Sequence, residues 1–222
     1  MNIFEILGPV MVGPSSSHTA GAVRIGLITR KLLAERPVKV VIGMSGSFAA
    51  TGRGHGTDRA LIAGLLSMRP DDMRIPDSFA YAKEEGFEFS FEQVQLRDAH
   101  PNSALIRVIG EKGRKLTVQA SSLGGGRIMV NRLDGIDVNC TCEMPTLIVH
   151  NMDQPGHVAE VTSMLSHKSV NIANMSLYRN KRGGRAVMVV ETDQPIPKES
   201  IQWLEHLEGV IKVTYINVGG EL

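Results

Sequence analysis

The segment from residue 13 to residue 21 places an unusual set of polar side chains in front of a predicted helix. Its sequence is Gly-Pro-Ser-Ser-Ser-His-Thr-Ala-Gly, and the polar residues are Ser15, Ser16, Ser17, His18 and Thr19. Hydroxyl groups beside the free backbone N–H groups of a helix N-terminus form a cradle for an anion such as a carboxylate or a phosphate. One serine is enough to cap a helix, so the surplus favours a binding role. The segment lacks the Gly-Lys-Ser/Thr sequence of a P-loop and the Gly-x-Ser-x-Gly spacing of a nucleophile elbow.

Three other strings could take part in the same chemistry, although each has an ordinary structural explanation. Residues 52–58 read Gly-Arg-Gly-His-Gly-Thr-Asp, in which alternating glycines leave His55 mobile or open to close approach by a ligand. A solvent-facing loop histidine explains His55 equally well. Residues 100–103 read His-Pro-Asn-Ser, where Asn102 fits a simple turn beside His100. Residues 121–126 read Ser-Ser-Leu-Gly-Gly-Gly and fit a tight loop.

The composition is that of an ordinary globular protein and excludes several classes of function. The chain has 222 residues, of which 42% are hydrophobic and 21% are charged. A net charge of +1 leaves no basic footprint for nucleic acid or an anionic membrane. No apolar run reaches the ~18 residues that span a bilayer, and no signal peptide is recognisable near Met1. We therefore expect a cytoplasmic protein that has neither nucleic acid nor membrane as a partner.

The two cysteines of the chain, Cys140 and Cys142, limit its metal chemistry. A disulfide between cysteines at Cys-x-Cys spacing would not cross-link distant parts of the chain, which favours a protein of a reducing compartment. Two thiols are also too few for a four-cysteine zinc site or a complete iron–sulfur ligand set. We therefore expect ordinary thiols and no metal ligands on this chain.

The chain changes character near residues 143–145, which predicts two domains, 1–145 and 146–222, of the α+β class. In the first, a mixed α/β domain, apolar periodicity predicts helices at 19–34 and 57–68. Alternating or apolar runs predict strands at 38–42, 87–91, 105–109, 116–120 and 128–133. Glycine-rich loops are predicted at 13–21, 43–56 and 124–126, so the polar strings should stand on loops beside helices.

The sequence of the second domain predicts the element order βαββαβ, which is that of the ferredoxin-like fold. Its predicted strands are 146–152, 170–180, 185–192 and 210–218, and its predicted helices are 157–168 and 197–207. Asp-Gln-Pro-Gly-His-Val at 153–158 and Val-Asn-Ile-Ala at 170–173 resemble the ACT domain, a small amino-acid-sensing module. The resemblance implies homodimerisation and an effector site at the dimer interface, formed by Asp153, Gly156, Asn171 and Ile172. A purely structural dimeriser that binds nothing is the alternative.

Taken in order, the four polar strings of the first domain resemble the β chain of bacterial iron–sulfur L-serine dehydratase, also called L-serine ammonia-lyase. The resemblance implies an enzyme of amino-acid degradation and gluconeogenesis that converts L-serine into pyruvate and ammonia. It implies that cysteines of a separate α chain hold a [4Fe–4S] cluster. It also implies that His18 and His55 are catalytic, with His55 facing the substrate carboxylate. The substrate-binding residues implied are Ser15, Ser16, Ser17, Thr19, His100 and Asn102.

A second resemblance leads to a different class of function. The plan of the first domain is similar to the regulatory domain of some phosphoglycerate dehydrogenases, which also precedes an ACT module. The alternative is therefore a serine-sensing regulatory protein without catalysis. The residue 15–19 string beside His55 favours the enzyme, because a pure sensor has no need of these side chains.

Overall fold

A computed structural model describes residues 10–217 of the chain. The chain divides into two units, Met1–Asp134 and Gly135–Leu222. The predicted domain boundary between residues 145 and 146 stays a prediction. The predicted end of the last strand, Val218, lies outside the described residues. No helix within residues 10–217 has both the length and the apolar composition that crossing a membrane requires.

The first unit is a mixed α/β structure built on five strands. Its helices are α1 (Ala22–Leu33), α2 (Gly46–His55), α3 (Thr57–Leu65) and α4 (Ser78–Glu84), and a π-helical segment (Ser16–Gly21) precedes α1. Its strands are β1 (Pro37–Ser45), β2 (Glu88–Gln93), β3 (Asn102–Gly110), β4 (Lys115–Gly124) and β5 (Arg127–Leu133). They lie in the order β2-β1-β3-β4-β5, in which β1 and β2 are parallel and the other neighbours antiparallel.

Helices α1 and α3 pack together unusually closely, because a glycine of each lies at the crossing. A Cβ atom at Gly26 would stand 2.9 Å from the Cα atom of Gly64 and would collide with the Leu61 carbonyl oxygen. The predicted apolar face of α1, Ile25, Ile28 and Leu32, is buried. This face therefore forms part of the core of the first unit.

The predicted loop at residues 43–56 is wrong. Strand β1 continues to Ser45, and residues 46–55 form helix α2. Glycine in a helix interior costs about 1 kcal/mol, which argues against a helix that contains Gly52 and Gly54. The fully buried side chain of Phe48 offsets this cost, since burying a phenylalanine contributes roughly 1.5–3 kcal/mol.

The second unit has the predicted order of helices and strands. A short strand β6 (Ile136–Cys140), which the sequence analysis missed, is followed by the elements β7 (Thr146–Met152), α5 (His157–His167), β8 (Ile172–Arg179), β9 (Arg185–Thr192), α6 (Lys198–Glu205) and β10 (Val210–Ile216). The last four strands form an antiparallel sheet in the order β10-β7-β9-β8. Both helices contribute to the same core as this sheet, through side chains such as Leu165 and Leu204 beside Val149 and Met188.

Candidate functional site

The hydroxyl-rich string forms a π-helical segment rather than the first turn of an ordinary helix. Ser15 is its N-cap, and its Oγ accepts a hydrogen bond from the backbone N–H of His18 at 3.1 Å. Ser16, Ser17 and His18 follow and are half-buried, whereas Thr19 is buried. Single π-helical turns are rare and occur frequently at functional sites. One predicted binding serine therefore caps the segment, and two others remain half-exposed beside the histidine.

His18 is held by two hydroxyl groups of helix α2. Its Nε2 atom lies 3.1 Å from Ser47 Oγ and 3.2 Å from Thr51 Oγ1. The ring also packs edge-on against Phe48, with centroids 5.4 Å apart. Burial, and then the neighbouring His55, lower the pKa of His18 below its ordinary value, against the opposing effect of the Ser47 backbone carbonyl, which accepts from the ring. The neutral imidazole is therefore favoured at neutral pH.

His55 is the last residue of helix α2, not a residue of a mobile loop. Its side chain is exposed, and its ring centroid lies 5.1 Å from that of His18. Its carbonyl oxygen accepts a hydrogen bond from Thr19 Oγ1 at 3.4 Å. The fold thus brings together the two predicted catalytic histidines, which are 37 positions apart (55 − 18) in the chain.

The string at residues 100–103 lies beside the N-terminus of α2. The backbone N–H of Ser47 donates to the Pro101 carbonyl oxygen at 2.8 Å, and Asn102 begins strand β3. His100 is exposed, and its Nδ1 accepts from the backbone N–H of Asn102 at 3.1 Å. The roles of His100 and Asn102 toward a substrate stay predictions.

Two buried hydroxyl groups, those of Ser122 and Thr57, have no hydrogen-bond partner among the described residues. Ser122 packs so closely on the π-helical segment that a Cβ atom at Gly21 would collide with its Oγ. An unsatisfied buried hydroxyl costs about 1–3 kcal/mol, and each needs an explanation such as a water or a ligand. Both residues belong to polar strings that the sequence analysis recognised, although neither was selected as a site residue.

Ser47 and Thr51 are also site residues that the sequence analysis missed. They stand four residues apart, one turn of helix, and so reach the same side of α2. The sequence analysis predicts a loop here, and a separation of four residues brings two side chains together only in a helix. A helical assignment for residues 46–55 is the signal that would have found them.

The predicted effector residues of the second unit lie at two places, and some of their polar groups are already engaged. Asp153 Oδ2 accepts from the Gly183 N–H at 2.9 Å and from Arg179 Nη1 at 3.0 Å. These two contacts, in that order, lower the pKa of Asp153. Gly156, with φ +108°, precedes helix α5. Their role toward an effector stays a prediction.

The other two predicted effector residues lie at the start of β8. Asn171 donates from Nδ2 to Asp193 Oδ2 at 2.6 Å and from its backbone N–H to Gln194 Oε1 at 2.8 Å. Ile172 is the first residue of the strand. Both side chains of the Asn171–Asp193 pair are exposed, so a polar ligand can compete with this hydrogen bond.

The two thiols lie together inside the second unit. Cys140 Sγ and Cys142 Sγ are 3.0 Å apart, and both residues are buried. The hydrogen bond to Cys140, and then burial, raise the pKa of Cys142 well above its ordinary value, so the thiol stays protonated. Across residues 10–217, no group of three or more His, Cys, Asp or Glu side chains is arranged to hold a metal ion.

Comparison with known proteins gives consistent matches. The family profile "Serine dehydratase beta chain" matches residues 2–85. The chain is 39% identical over 215 residues to a probable L-serine dehydratase, beta chain, of Bacillus subtilis, and the match covers 97% of both chains. It is 36% identical over 216 residues to the L-serine dehydratase, beta chain, of Peptoniphilus asaccharolyticus, again with 97% of both covered. It is 24% identical to a D-3-phosphoglycerate dehydrogenase of Archaeoglobus fulgidus, which covers 97% of this chain and 39% of that protein.

Proposed function

The chain belongs to the serine dehydratase beta chain family, and we propose that it supplies one wall of the active site of a two-chain L-serine dehydratase. The reaction would convert L-serine into pyruvate and ammonia. The observation that carries the proposal is the pairing of His18 with His55 beside half-buried serine hydroxyls. L-Serine presents a carboxylate, an ammonium group and a hydroxyl, and this set of donors and acceptors suits all three.

The two histidines would have different tasks because their surroundings differ. His18 is half-buried and favours the neutral form, so one ring nitrogen keeps a lone pair that accepts a hydrogen bond or a proton. His55 is exposed, so its ring N–H is free to approach a substrate carboxylate. We therefore propose His18 as the proton acceptor or orienting group and His55 as the carboxylate ligand.

The hydroxyl groups would complete the binding site. Ser16 and Ser17 are half-exposed next to His18, and the hydroxyl of Ser122 is buried without a partner. Each hydroxyl donates one hydrogen bond, and a hydrogen bond donated to a carboxylate is stronger than one donated to a neutral acceptor. Ser15 and Thr19 would act indirectly, since Ser15 caps the segment and Thr19 binds the His55 carbonyl.

The described residues do not fit the [4Fe–4S] cluster that the family resemblance implies. Cys140 and Cys142 are both buried in the second unit, and two thiols are too few for a cluster that proteins usually hold with three or four cysteines. We therefore propose that a separate alpha chain holds the cluster. This chain would then contribute the histidines and hydroxyls, and the catalytic pocket would form between the two polypeptides.

We also propose that the second unit is a ferredoxin-like ACT module that dimerises and binds an amino acid. Its βαββαβ order and antiparallel sheet support this assignment. Strand β8 lies at an edge of the sheet, and Leu177 on this strand is 48% exposed, which leaves apolar surface for a second copy. The effector would bind near Asp153, Gly156, Asn171 and Ile172.

A serine-sensing protein without catalysis is the second candidate. It is favoured by the match to a phosphoglycerate dehydrogenase that covers 97% of this chain. The two functions differ in what the chain does with L-serine when a partner is present. A sensor would bind it unchanged, whereas a dehydratase subunit would support its conversion.

Reconstitution distinguishes the two candidates. The chain is expressed anaerobically with and without the alpha chain of the same organism, and pyruvate is measured after addition of L-serine. We expect pyruvate from the pair and none from this chain alone. An inactive, cluster-loaded pair in which this chain still binds L-serine would support the sensor. Pyruvate from this chain alone would overturn the two-chain proposal.

A further inference from the structure

The hydroxyl of Thr51 has two neighbours that together fix the direction of its hydrogen bonds. Thr51 Oγ1 donates to the Ser47 carbonyl oxygen at 3.0 Å, one helical turn earlier, and lies 3.2 Å from His18 Nε2. A carbonyl oxygen only accepts, and a threonine hydroxyl carries a single proton. With its proton on that carbonyl, Thr51 Oγ1 accepts from Nε2, which then carries the ring proton.

The second hydroxyl on the same nitrogen leaves the choice open. Ser47 Oγ lies 3.1 Å from His18 Nε2, and a serine hydroxyl rotates freely to donate or to accept. Ser47 therefore adapts to whichever tautomer the histidine adopts. Ser47 is compatible with either tautomer of His18, whereas Thr51 is compatible only with the tautomer that carries the proton on Nε2. Thr51 is therefore the residue that selects the tautomer.

We propose that Thr51 is a positioning residue that keeps the proton of neutral His18 on Nε2 and leaves the lone pair on Nδ1. Among the atoms that the structure describes, which do not include the side chain of Arg53, no hydrogen bond engages His18 Nδ1, so this nitrogen is the one available to a ligand. Burial and the neighbouring His55 lower the pKa of His18 and so favour the neutral imidazole, the only form of the ring that has two tautomers. The role in turnover rests on the proposed dehydratase function, whereas the tautomer itself does not.

The tautomer is measured directly on the full-length chain labelled with ¹⁵N-histidine. Long-range ¹H–¹⁵N correlation spectra distinguish protonated from unprotonated ring nitrogens, and His18→Gln assigns the His18 signals. We expect Nε2 protonated and Nδ1 unprotonated at a pH above the His18 titration. A wild-type spectrum with the proton on Nδ1 overturns the proposal without any variant.

Three variants test which hydroxyl decides. Thr51→Val keeps the shape but removes the hydroxyl, so Ser47 becomes free to donate to Nε2 and the Nδ1–H tautomer gains population. Thr51→Ser retains the hydroxyl, and Ser47→Ala retains both the Thr51 hydroxyl and the carbonyl it binds, so both should keep the wild-type tautomer. An unchanged tautomer in folded Thr51→Val contradicts the proposal, as does a switch in Ser47→Ala alone.

The kinetics of the two-chain enzyme test the role of Thr51 separately from the NMR spectra. Thr51→Val should lower kcat by about a hundredfold, the lower end of what a positioned acid–base group contributes, with little change in KM. Thr51→Ser should restore most of kcat. If the wild-type pair is inactive on L-serine, the proposed function fails while the NMR result still decides the tautomer. If Thr51→Val alters the tautomer but keeps the wild-type kcat, Thr51 has no role in turnover.

Discussion

The imidazole rings of His18 and His55 face each other with centroids 5.1 Å apart and planes inclined by 49°. The two residues come from different elements, the π-helical segment and the C-terminal end of α2. His18 is tied to two hydroxyl groups, whereas the side chain of His55 is exposed. The pair therefore combines one fixed imidazole with one that solvent and ligands reach easily.

Replacing His55 by alanine should weaken substrate binding more than the chemical step. A hydrogen bond to a charged group contributes about 1.5–3 kcal/mol, so KM for L-serine in the two-chain enzyme should rise roughly 10- to 100-fold. Steady-state kinetics measure the effect, with His167→Ala, an exposed histidine of the second unit, as the control. A fall in kcat with an unchanged KM would show that His55 acts in the chemical step and not in substrate binding.

Replacing His55 by glutamine should raise the pKa of His18. The electrostatic interaction with His55 lowers this pKa, so a side chain without an ionisable group at position 55 removes one cause while burial remains. The acidic limb of the kcat/KM profile should therefore move to higher pH in the variant. NMR titration of His18 in this chain alone gives the same shift without activity, and a shift to lower pH would contradict the assigned interaction.

Replacing Gly21 by alanine should destabilise the first unit by about 1–3 kcal/mol, the usual cost of overpacking. The backbone at Gly21, with φ −64° and ψ −40°, suits alanine, so the added Cβ opposes folding through its collision with Ser122. Urea unfolding followed by circular dichroism measures the loss. Adding Ser122→Gly should recover part of it, and strictly additive effects of the two substitutions would show that the contact is absent.

Replacing Asp153 by asparagine should reduce the stability of the second unit at neutral pH but not in acid. The Gly183 N–H and Arg179 hold the pKa of Asp153 below the ordinary value of 3.8. Such a carboxylate contributes stability above the unfolded-state pKa and loses it as pH falls through the folded-state pKa. The fluorescence of Trp203, the single tryptophan, reports this unit during urea unfolding. A difference between wild type and variant that persists at pH 2 would contradict the electrostatic origin.

Both thiols should resist chemical modification in the folded chain. Cys140 and Cys142 are each 2% exposed, and the pKa of Cys142 is raised, so reactive thiolate is scarce. A chromogenic disulfide reagent at pH 8 should detect almost no thiol in native protein and both thiols in denaturant. Rapid reaction of either cysteine without denaturant would show that this region opens.

The sequence predicted the second unit better than the first for a physical reason. Its strands and helices are short, regular and separated by clear turn residues such as Pro155 and Gly156, so local patterns decide them. Strand β6 was missed because it is only five residues long, although Ile136, Val138 and Cys140 alternate with polar residues as in a half-buried strand. Helix α2 was missed because its stability depends on the burial of Phe48, which a local pattern does not reveal.

The candidate site was predicted as a set of residue types but not as a network. His18 and His55 were selected, and the fold brings them together. Ser47 and Thr51 were not, since they matter only as neighbours on one side of a helix that the sequence analysis interpreted as loop. Ser122 was not, because its contact with Gly21 joins segments that are 101 positions apart (122 − 21).

The glycine crossing of α1 and α3 joins the two helices that continue from the segments carrying His18 and His55. The segment that carries His18 leads directly into α1, and α3 begins two residues after His55. At Gly26 and Gly64 the helices meet backbone to backbone, so no side-chain rotamer exists there that could absorb a displacement. A bulkier residue at either position would act as a wedge, and the separation of the imidazoles would change with it. The relative placement of the two histidines thus depends on two residues that have no side chain at all.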